Sequence, residues 1–162
     1  MKAIRVHAPG GPEVLSLEDL PIPEAGAGQV VVQVEAAGVN FIDICQRAGQ
    51  YCVAAPFIPG QEGAGLVTAV GSGVTGVREG DRVAWTGALG SYAQFAAVPA
   101  DRVVPLPDSL PARLAAAGEV FDLVASGALR LRIVAELPLA EAAEAHRQLE
   151  GRLTAGKILV IP

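Results

Sequence analysis

The sequence has few charged residues and no long hydrophobic run. Only 18% of its 162 residues are charged, with 12 basic against 17 acidic side chains and a net charge of −5. A nucleic-acid-binding domain normally shows a basic stripe, so no nucleic-acid partner is expected. No run approaches the ~20 apolar residues of a membrane-spanning helix, and the N-terminus lacks the apolar stretch of a signal peptide. We therefore expect a soluble, cytoplasmic protein with no membrane partner.

The sequence also has few cysteines. Cys45 and Cys52 are the only two cysteines, and no C-x-x-C pair indicates a zinc site. Because no secretion signal supports a disulfide, two free thiols are predicted. Hydrophobic residues, by contrast, make up 51% of the chain, which excludes disorder by composition and is enough for a sizeable core.

Glycine and proline are abundant, at 19 and 12 residues, and they indicate many turns between short strands. Strands are predicted over Lys2–His7, Leu15–Leu20, Gln29–Val34, Leu66–Val70, Asp81–Trp85, Tyr92–Val98 and Arg102–Leu106, with a short helix over Phe41–Ala48. Near Leu110 the pattern changes: helices are predicted over Ala112–Ala117, Glu119–Ser126 and Leu139–Glu150, and strands over Leu131–Glu136 and Lys157–Ile161. The chain is expected to form one α+β domain that is mostly β, built as a sandwich or barrel.

Residues Gly71–Gly76 spell G-x-G-x-x-G after a predicted strand, which is the pattern of a dinucleotide-binding turn. That chemistry needs a helix to begin at the turn, so that its first amides face the pyrophosphate. Here the turn leads through Val77–Asp81 into a β-branched run, and no acidic residue lies about twenty positions on. A glycine-rich turn between antiparallel strands is therefore favoured, and no Rossmann domain is predicted.

Several separated motifs follow one another in an order typical of a known family. They are Gly10–Leu15, Gly38–Asp43, Pro59–Gly65, Val70–Gly71, Gly80–Val83, Glu144–Arg147 and Thr154–Lys157. With these motifs the chain resembles the catalytic domain of medium-chain dehydrogenase/reductases, in particular the zinc-free NADPH:quinone oxidoreductases of the zeta-crystallin type. The resemblance covers nearly the whole chain and implies a GroES-like barrel with flanking helices.

Members of that family interrupt the GroES-like domain with a complete Rossmann domain, which is missing here. The resemblance implies an N-terminal part over residues 1–118, a returning C-terminal part over residues 119–162, and a join at Gly118–Glu119. The chain is thus expected to be shortened, by an engineered deletion of the nucleotide-binding insert. A natural solitary domain is the alternative.

The resemblance also bears on metal binding. Zinc dehydrogenases that resemble this domain hold catalytic zinc with a Cys, a His and a further ligand. Asn40 and Gln61 stand at matching positions, and an amide is a poor zinc ligand beside thiolate and imidazole. The four-cysteine structural zinc lobe is absent as well, so no metal is expected.

The resemblance assigns three residues to the substrate cleft. Asn40 would hydrogen-bond a quinone oxygen, Asp43 would orient its neighbours, and Tyr51 would lie beside the substrate. Each has a structural alternative: a helix N-cap for Asn40, a solvated helix position for Asp43, and a partly buried loop position for Tyr51. Glu62 belongs to the segment that lines the cleft floor, or else it satisfies a buried backbone group or an arginine.

Cys45 and Gln61 are the expected cofactor contacts. Family members often carry a tyrosine at the Cys45 position, packed against the nicotinamide, so the cysteine puts that contact in doubt. His7 and His146, the latter on the apolar side of its helix, are interpreted as structural.

The implied function is hydride transfer from NADPH to a small-molecule quinone. NADPH itself is not expected to bind this chain, because the cofactor's phosphates and ribose have no binding site, so the chain alone is expected to be inactive. A solitary non-enzymatic binding or scaffold domain is the alternative, and cofactor titration would separate the two.

Overall fold

The computed structural model describes residues 1–107, 111–112, 132–152 and 154–162. Nine strands lie in these ranges: β1 (Lys2–Arg5), β2 (Ser16–Asp19), β3 (Gln29–Gly38), β4 (Glu62–Val70), β5 (Arg82–Thr86), β6 (Phe95–Pro99), β7 (Val103–Pro105), β8 (Ile133–Pro138) and β9 (Lys157–Ile161). The α-helices in the same ranges are α1 (Phe41–Arg47) and α2 (Ala142–Glu150), and short 3-10 turns occupy Pro12–Val14, Ala100–Arg102 and Leu139–Glu141. The predicted mostly β, α+β class is confirmed.

Strand β3 is the centre of the larger sheet. Its alternating valines are buried, and only Gln33 and Glu35 are exposed along it. One edge of β3 pairs antiparallel with β4, and the other edge pairs with β6 near its start and with β9 near its end. The sheet follows the order β7-β5-β4-β3-β9-β8, with β6 attached to β3, while β1 and β2 form a separate two-stranded sheet.

The main core joins this sheet to helix α2. Its largest fully buried apolar side chains come from β1, β3, β4, β5 and β9, and helix α2 adds Ala142 and Ala145. The predicted helix over Leu139–Glu150 is divided: a 3-10 turn spans Leu139–Glu141 and the α-helix begins at Ala142. His146 is fully buried on the inner face of α2, in agreement with the apolar side predicted for it.

Strand β4 begins four residues earlier than the predicted Leu66–Val70. Its first residues, Glu62–Gly65, pair with both β3 and β5. A side chain at Gly65 would collide with the backbone carbonyl of Gln33 on β3, so this strand position excludes any β-carbon. Because the first half of β4 consists of small residues, it lacks the β-branched side chains by which strands are recognised in a sequence.

The returning segment closes the sheet with a parallel pair. Strand β8 pairs in parallel with β9, and helix α2 lies between the two strands in the sequence. The predicted strand Leu131–Glu136 therefore corresponds to Ile133–Pro138, and Lys157–Ile161 is confirmed at both ends. The predicted helix Glu119–Ser126 and the join at Gly118–Glu119 lie outside the described residues, as does nearly all of the helix predicted over 112–117.

The glycine-rich pattern Gly71–Gly76 forms turns that lead from β4 towards β5, and no helix begins at it. The amide of Gly28 donates to the carbonyl of Ser72, and a β-carbon at Gly71 would meet the carbonyl of Gly26. The first glycine thus permits two loops to touch, which confirms the prediction of a turn between antiparallel strands. Among the described helices none is long and apolar enough to cross a membrane.

Candidate functional site

Three polar side chains meet where the ends of β3, β4 and β9 come together. Gly38, the last residue of β3, pairs with Glu62 on one side and with Leu159 on the other. This register brings Asn40, Glu62 and Lys157 into contact, and we call these three residues the polar cluster. The Lys157 ammonium donates to Glu62 Oε2 at 2.6 Å and to Asn40 Oδ1 at 2.8 Å. The Asn40 amide donates to the same Glu62 oxygen at 2.6 Å.

The polar cluster is only partly buried. The side chains of Lys157 and Glu62 keep 17% and 13% of their surface exposed, and Asn40 is also half-buried. An ion pair in such a position is partly desolvated, so its geometry is held more firmly than that of a surface pair. The cluster therefore presents fixed polar groups at the protein surface.

Asn40 also begins helix α1. It is the N-cap residue, and its backbone amide donates to the Asp43 carboxylate at 2.9 Å. The predicted N-cap is therefore confirmed, while its side chain is occupied mainly by Glu62 and Lys157. Asp43 is fully buried, so the alternative of a solvated helix position is wrong for this residue.

A second set of polar groups runs from Asp43 through the core to the surface at Glu150, and we call it the buried chain. Its members Asp43, Tyr92, His146 and Arg47 are buried, and Glu150 at its far end is exposed. The Tyr92 hydroxyl lies 3.3 Å from Asp43 Oδ2 and 3.2 Å from His146 Nε2. His146 Nδ1 lies 3.4 Å from an Arg47 guanidinium nitrogen. Arg47 is 2% exposed and pairs with Glu150 at 2.7 Å.

The donor capacities of these groups assign a direction to the buried chain. A guanidinium only donates, so we assign Nδ1 of His146 as the acceptor and place the ring proton on Nε2. The Nε2–H group then donates to the Tyr92 oxygen, and the Tyr92 hydroxyl donates to Asp43. Every hydrogen bond from Arg47 onward therefore points towards the carboxylate that caps helix α1.

Burial shifts the acidity of the groups in this chain. Desolvation raises the pKa of Asp43 to about 6, although the Asn40 amide and Tyr92 oppose the shift. Desolvation and then the charge of Arg47 lower the pKa of His146 to about 4. Desolvation, followed by the nearby Asp43, raises the pKa of Tyr92 well above its ordinary value. At neutral pH the histidine and tyrosine are thus neutral.

Two exposed aromatic residues lie at the start of helix α1 and in the loop that follows it. Phe41, the residue after Asn40, is 59% exposed, and Tyr51 in the loop after α1 is 58% exposed. The Tyr51 amide donates to the carbonyl of Cys45, one helical turn beyond Phe41. Tyr51 is therefore more exposed than the partly buried loop position considered for it.

The two expected cofactor contacts occupy different environments. Cys45 is buried within α1, and Gln61 is half-buried immediately before Glu62. Cys52 is exposed, and both thiols are free as predicted.

Sequence reasoning missed several members of the site. The sequence predicts Lys157 only as part of a motif and as the start of a strand, Tyr92 only as the start of another strand, and Arg47 only within a helix. The side chain of Glu62 contacts an amide and a lysine, and not the backbone group or arginine that its structural alternative named. One signal was available for Lys157: it is one of only two lysines in the chain and stands at the start of an otherwise apolar strand.

The side chains and the backbone turns that are present indicate whether this chain could hold a metal ion or NADPH. Among the described residues no group of three His, Cys, Asp or Glu side chains is placed to hold a metal ion. The phosphates of NADPH need a strand, a glycine turn and a helix in succession. The described ranges contain the glycine turn at Gly71–Gly76 without the helix, so they do not fit the nucleotide part of that cofactor.

Comparison with known proteins agrees with this architecture. Residues 26–108 match the alcohol dehydrogenase GroES-like domain family. The chain is 41% identical to the quinone oxidoreductase of Mus musculus over 121 residues, which cover 72% of this chain and 37% of the mouse protein. It is 44% identical to the quinone oxidoreductase of Pseudomonas aeruginosa over 133 residues, covering 80% and 40% of the two proteins. A quinone oxidoreductase of Escherichia coli, solved in complex with NADPH, shares the fold with a TM-score of 0.96 at 19% identity, covering 100% of each chain.

The chain therefore belongs to the alcohol dehydrogenase GroES-like domain family. Within it, the chain is a quinone-oxidoreductase-like catalytic domain of the medium-chain dehydrogenase/reductase superfamily. The expected GroES-like barrel with flanking helices is confirmed, and no Rossmann fold is evident in the parts of the chain that the structure describes. The chain spans only 37% and 40% of the length of the mouse and Pseudomonas relatives.

Proposed function

We propose that this chain is the quinone-binding, catalytic-domain portion of an NADPH-dependent quinone oxidoreductase and that it is inactive by itself. The observation that carries the proposal is the partly exposed polar cluster of Asn40, Glu62 and Lys157, with the exposed Phe41 directly after Asn40 in the chain. A quinone is a flat apolar ring with polar oxygens at its edge. It therefore needs an aromatic surface next to a hydrogen-bond donor, and this site offers both.

The roles of the other candidate residues follow from their positions. Tyr51 would pack against the quinone ring from the loop after α1. Asp43 touches no ligand in this proposal, because it is fully buried behind Asn40. It would instead fix the start of α1 and thereby the position of Asn40. Cys45 and Gln61 would face a nicotinamide ring only where a nucleotide-binding domain delivers one.

Quinone binding by the chain alone is the direct test. Duroquinone is a suitable probe because methyl groups occupy the four ring carbons that are not carbonyl carbons, so the exposed Cys52 thiol has no unsubstituted ring carbon to which it could add. Trp85, the only tryptophan, packs against Gly63 next to Glu62 and should report binding by quenching of its fluorescence. We expect saturable binding that Phe41→Ala weakens about tenfold.

Leu17→Ala is the matched control, because Leu17 is another exposed apolar residue but belongs to the separate β1–β2 sheet. Its affinity for duroquinone should equal that of the unmodified protein. Failure of duroquinone to bind, or equal losses in both variants, would contradict the proposed quinone site.

A solitary, non-enzymatic binding or scaffold domain is the second candidate. It is favoured by the lack of an evident Rossmann fold in the described residues. Titration with NADPH, followed by the fluorescence of its nicotinamide, addresses the cofactor directly. We expect no saturation at micromolar concentrations, and saturation there would contradict the scaffold alternative and support an enzyme that holds its own cofactor.

A further inference from the structure

The hydrogen atoms of the Asn40 amide are already committed within the protein. One N–H group donates to Glu62 at 2.6 Å, and the other is directed at the carbonyl of Gly38, 3.4 Å away. An amide nitrogen carries two hydrogens. Asn40 therefore has no free donor for a ligand oxygen unless it gives up one of these contacts, and the short bond to a carboxylate is costly to break.

Within the described part of the chain, the Lys157 ammonium has one donor left. It carries three hydrogens, and two of them serve Asn40 and Glu62. The side chain is 17% exposed, so a ligand at the surface can approach the ammonium. The two internal hydrogen bonds hold the nitrogen in one place, which removes much of the entropy cost that a free lysine would incur on binding.

From this count of donors we infer that Lys157, rather than Asn40, is the residue that donates a hydrogen bond to the oxygen of a bound quinone. Asn40 and Glu62 are then positioning residues that aim the ammonium. The inference rests on the proposed function and names the atom that recognises the ligand. A positively charged donor also suits a quinone oxygen particularly well, because that oxygen becomes negative when the ring is reduced.

The experiment observes the two lysines directly. Lys2 and Lys157 are the only lysines in the chain, so protein labelled with ¹⁵N-lysine gives two side-chain ammonium signals. Lys2 pairs with Asp19 on the separate two-stranded sheet and serves as the internal control. On titration with duroquinone, the Lys157 signal should shift in step with the quenching of Trp85, and the Lys2 signal should stay in place.

Variants separate the two possible donors. Lys157→Met should weaken duroquinone binding about tenfold, the value of one charge-assisted hydrogen bond, and Lys2→Met should have no effect. Asn40→Ser keeps a residue that can cap α1 but removes both amide hydrogens, and it should retain affinity within about threefold. Circular dichroism and thermal melting establish that each variant is folded, and the labelled unmodified protein needs no substitution at all.

The outcomes are distinct. Saturable quenching without a shift of the Lys157 ammonium would overturn this inference and leave the quinone site standing. The same holds if Asn40→Ser loses more affinity than Lys157→Met. No saturable duroquinone binding would instead overturn the proposed function, and this inference with it.

Discussion

Replacing Asp43 or His146 should change the pH dependence of folding in opposite directions. Burial raises the pKa of Asp43 from 3.8 to about 6, so between these values the native state holds a proton that the unfolded chain releases. Burial and Arg47 lower the pKa of His146 from 6.5 to about 4, so between those values the unfolded chain binds a proton that the native state does not. Stability falls with rising pH in the first case and rises in the second.

The two effects have similar size. A difference of one in pKa corresponds to about 1.4 kcal/mol. Asp43 therefore removes about 3 kcal/mol of stability as the pH rises from about 4 to about 6. His146 adds about 3 kcal/mol as the pH rises from about 4 to about 6.5. In the unmodified protein these contributions nearly cancel, so the pair should add little slope to the stability curve.

The assay is urea denaturation at intervals from about pH 4 to about pH 7, with each variant compared with the unmodified protein at the same pH. Asp43→Asn preserves an oxygen that accepts from Asn40 and Tyr92, and its stability relative to the unmodified protein should rise by about 3 kcal/mol across the range. His146→Gln preserves an N–H donor to Tyr92, and its relative stability should fall by about the same amount.

Comparison at equal pH removes the contribution of the other carboxylates, which all forms share. The double variant lacks both titrating groups and should follow the slope of the unmodified protein. The reasoning would be refuted if the relative stability of the two single variants changed with pH in the same direction, or did not change with pH at all. Either result would show that Asp43 and His146, the two groups that contact the Tyr92 hydroxyl, do not have the shifted pKa values described above.

Three further predictions concern stability and metal content. Glu150→Ala leaves the buried Arg47 guanidinium without its carboxylate and should cost about 2–3 kcal/mol in urea denaturation at neutral pH, less than a fully buried pair would because Glu150 is 34% exposed. Gly60→Ala should lower the melting temperature far more than Gly73→Ala: both glycines have positive φ, but only at Gly60 would the new methyl group collide with the Tyr92 ring. Purified from zinc-supplemented medium, the protein should contain well under one zinc per chain by elemental analysis, because amides stand where zinc dehydrogenases have ligands.

Elements with strong local signals were predictable from the sequence. The Lys157–Ile161 strand is an apolar run between Gly156 and Pro162, and it forms over those residues. Helix α1 is predicted to within one residue, because Asn40 and Gly49 mark its ends clearly. The first half of β4 has no such signal, since Gly65 lies against the backbone of Gln33 and Gly63 lies against the ring of Trp85. Small residues are needed there because of the neighbouring strands, and which strands are neighbours cannot be deduced from the local sequence.

The contacts of the candidate site also fall into those that the local sequence predicts and those that it does not. Asn40 and Asp43 are three positions apart on one helix, so a sequence pattern can bring them together. The Asn40–Lys157 contact spans 117 positions and the Tyr92–His146 contact spans 54. Neither follows from periodicity, because each depends on which strand lies beside which and in what register.

The register of β9 therefore decides the chemistry of the polar cluster. Strand β9 is held against β3 by the pairs Ala37–Val160 and Gly38–Leu159, which place Lys157 beside Asn40. Successive side chains of a strand point to opposite faces, so a slip of one residue would turn the ammonium away and present Ile158 instead. Both faces of β9 are apolar and buried, with Ile158 in the main core and Leu159 in a second cluster, so apolar burial alone does not select the register. The backbone pairing of β9 with β3 fixes the position of Lys157, and a slip in that pairing would remove the ammonium from the candidate site.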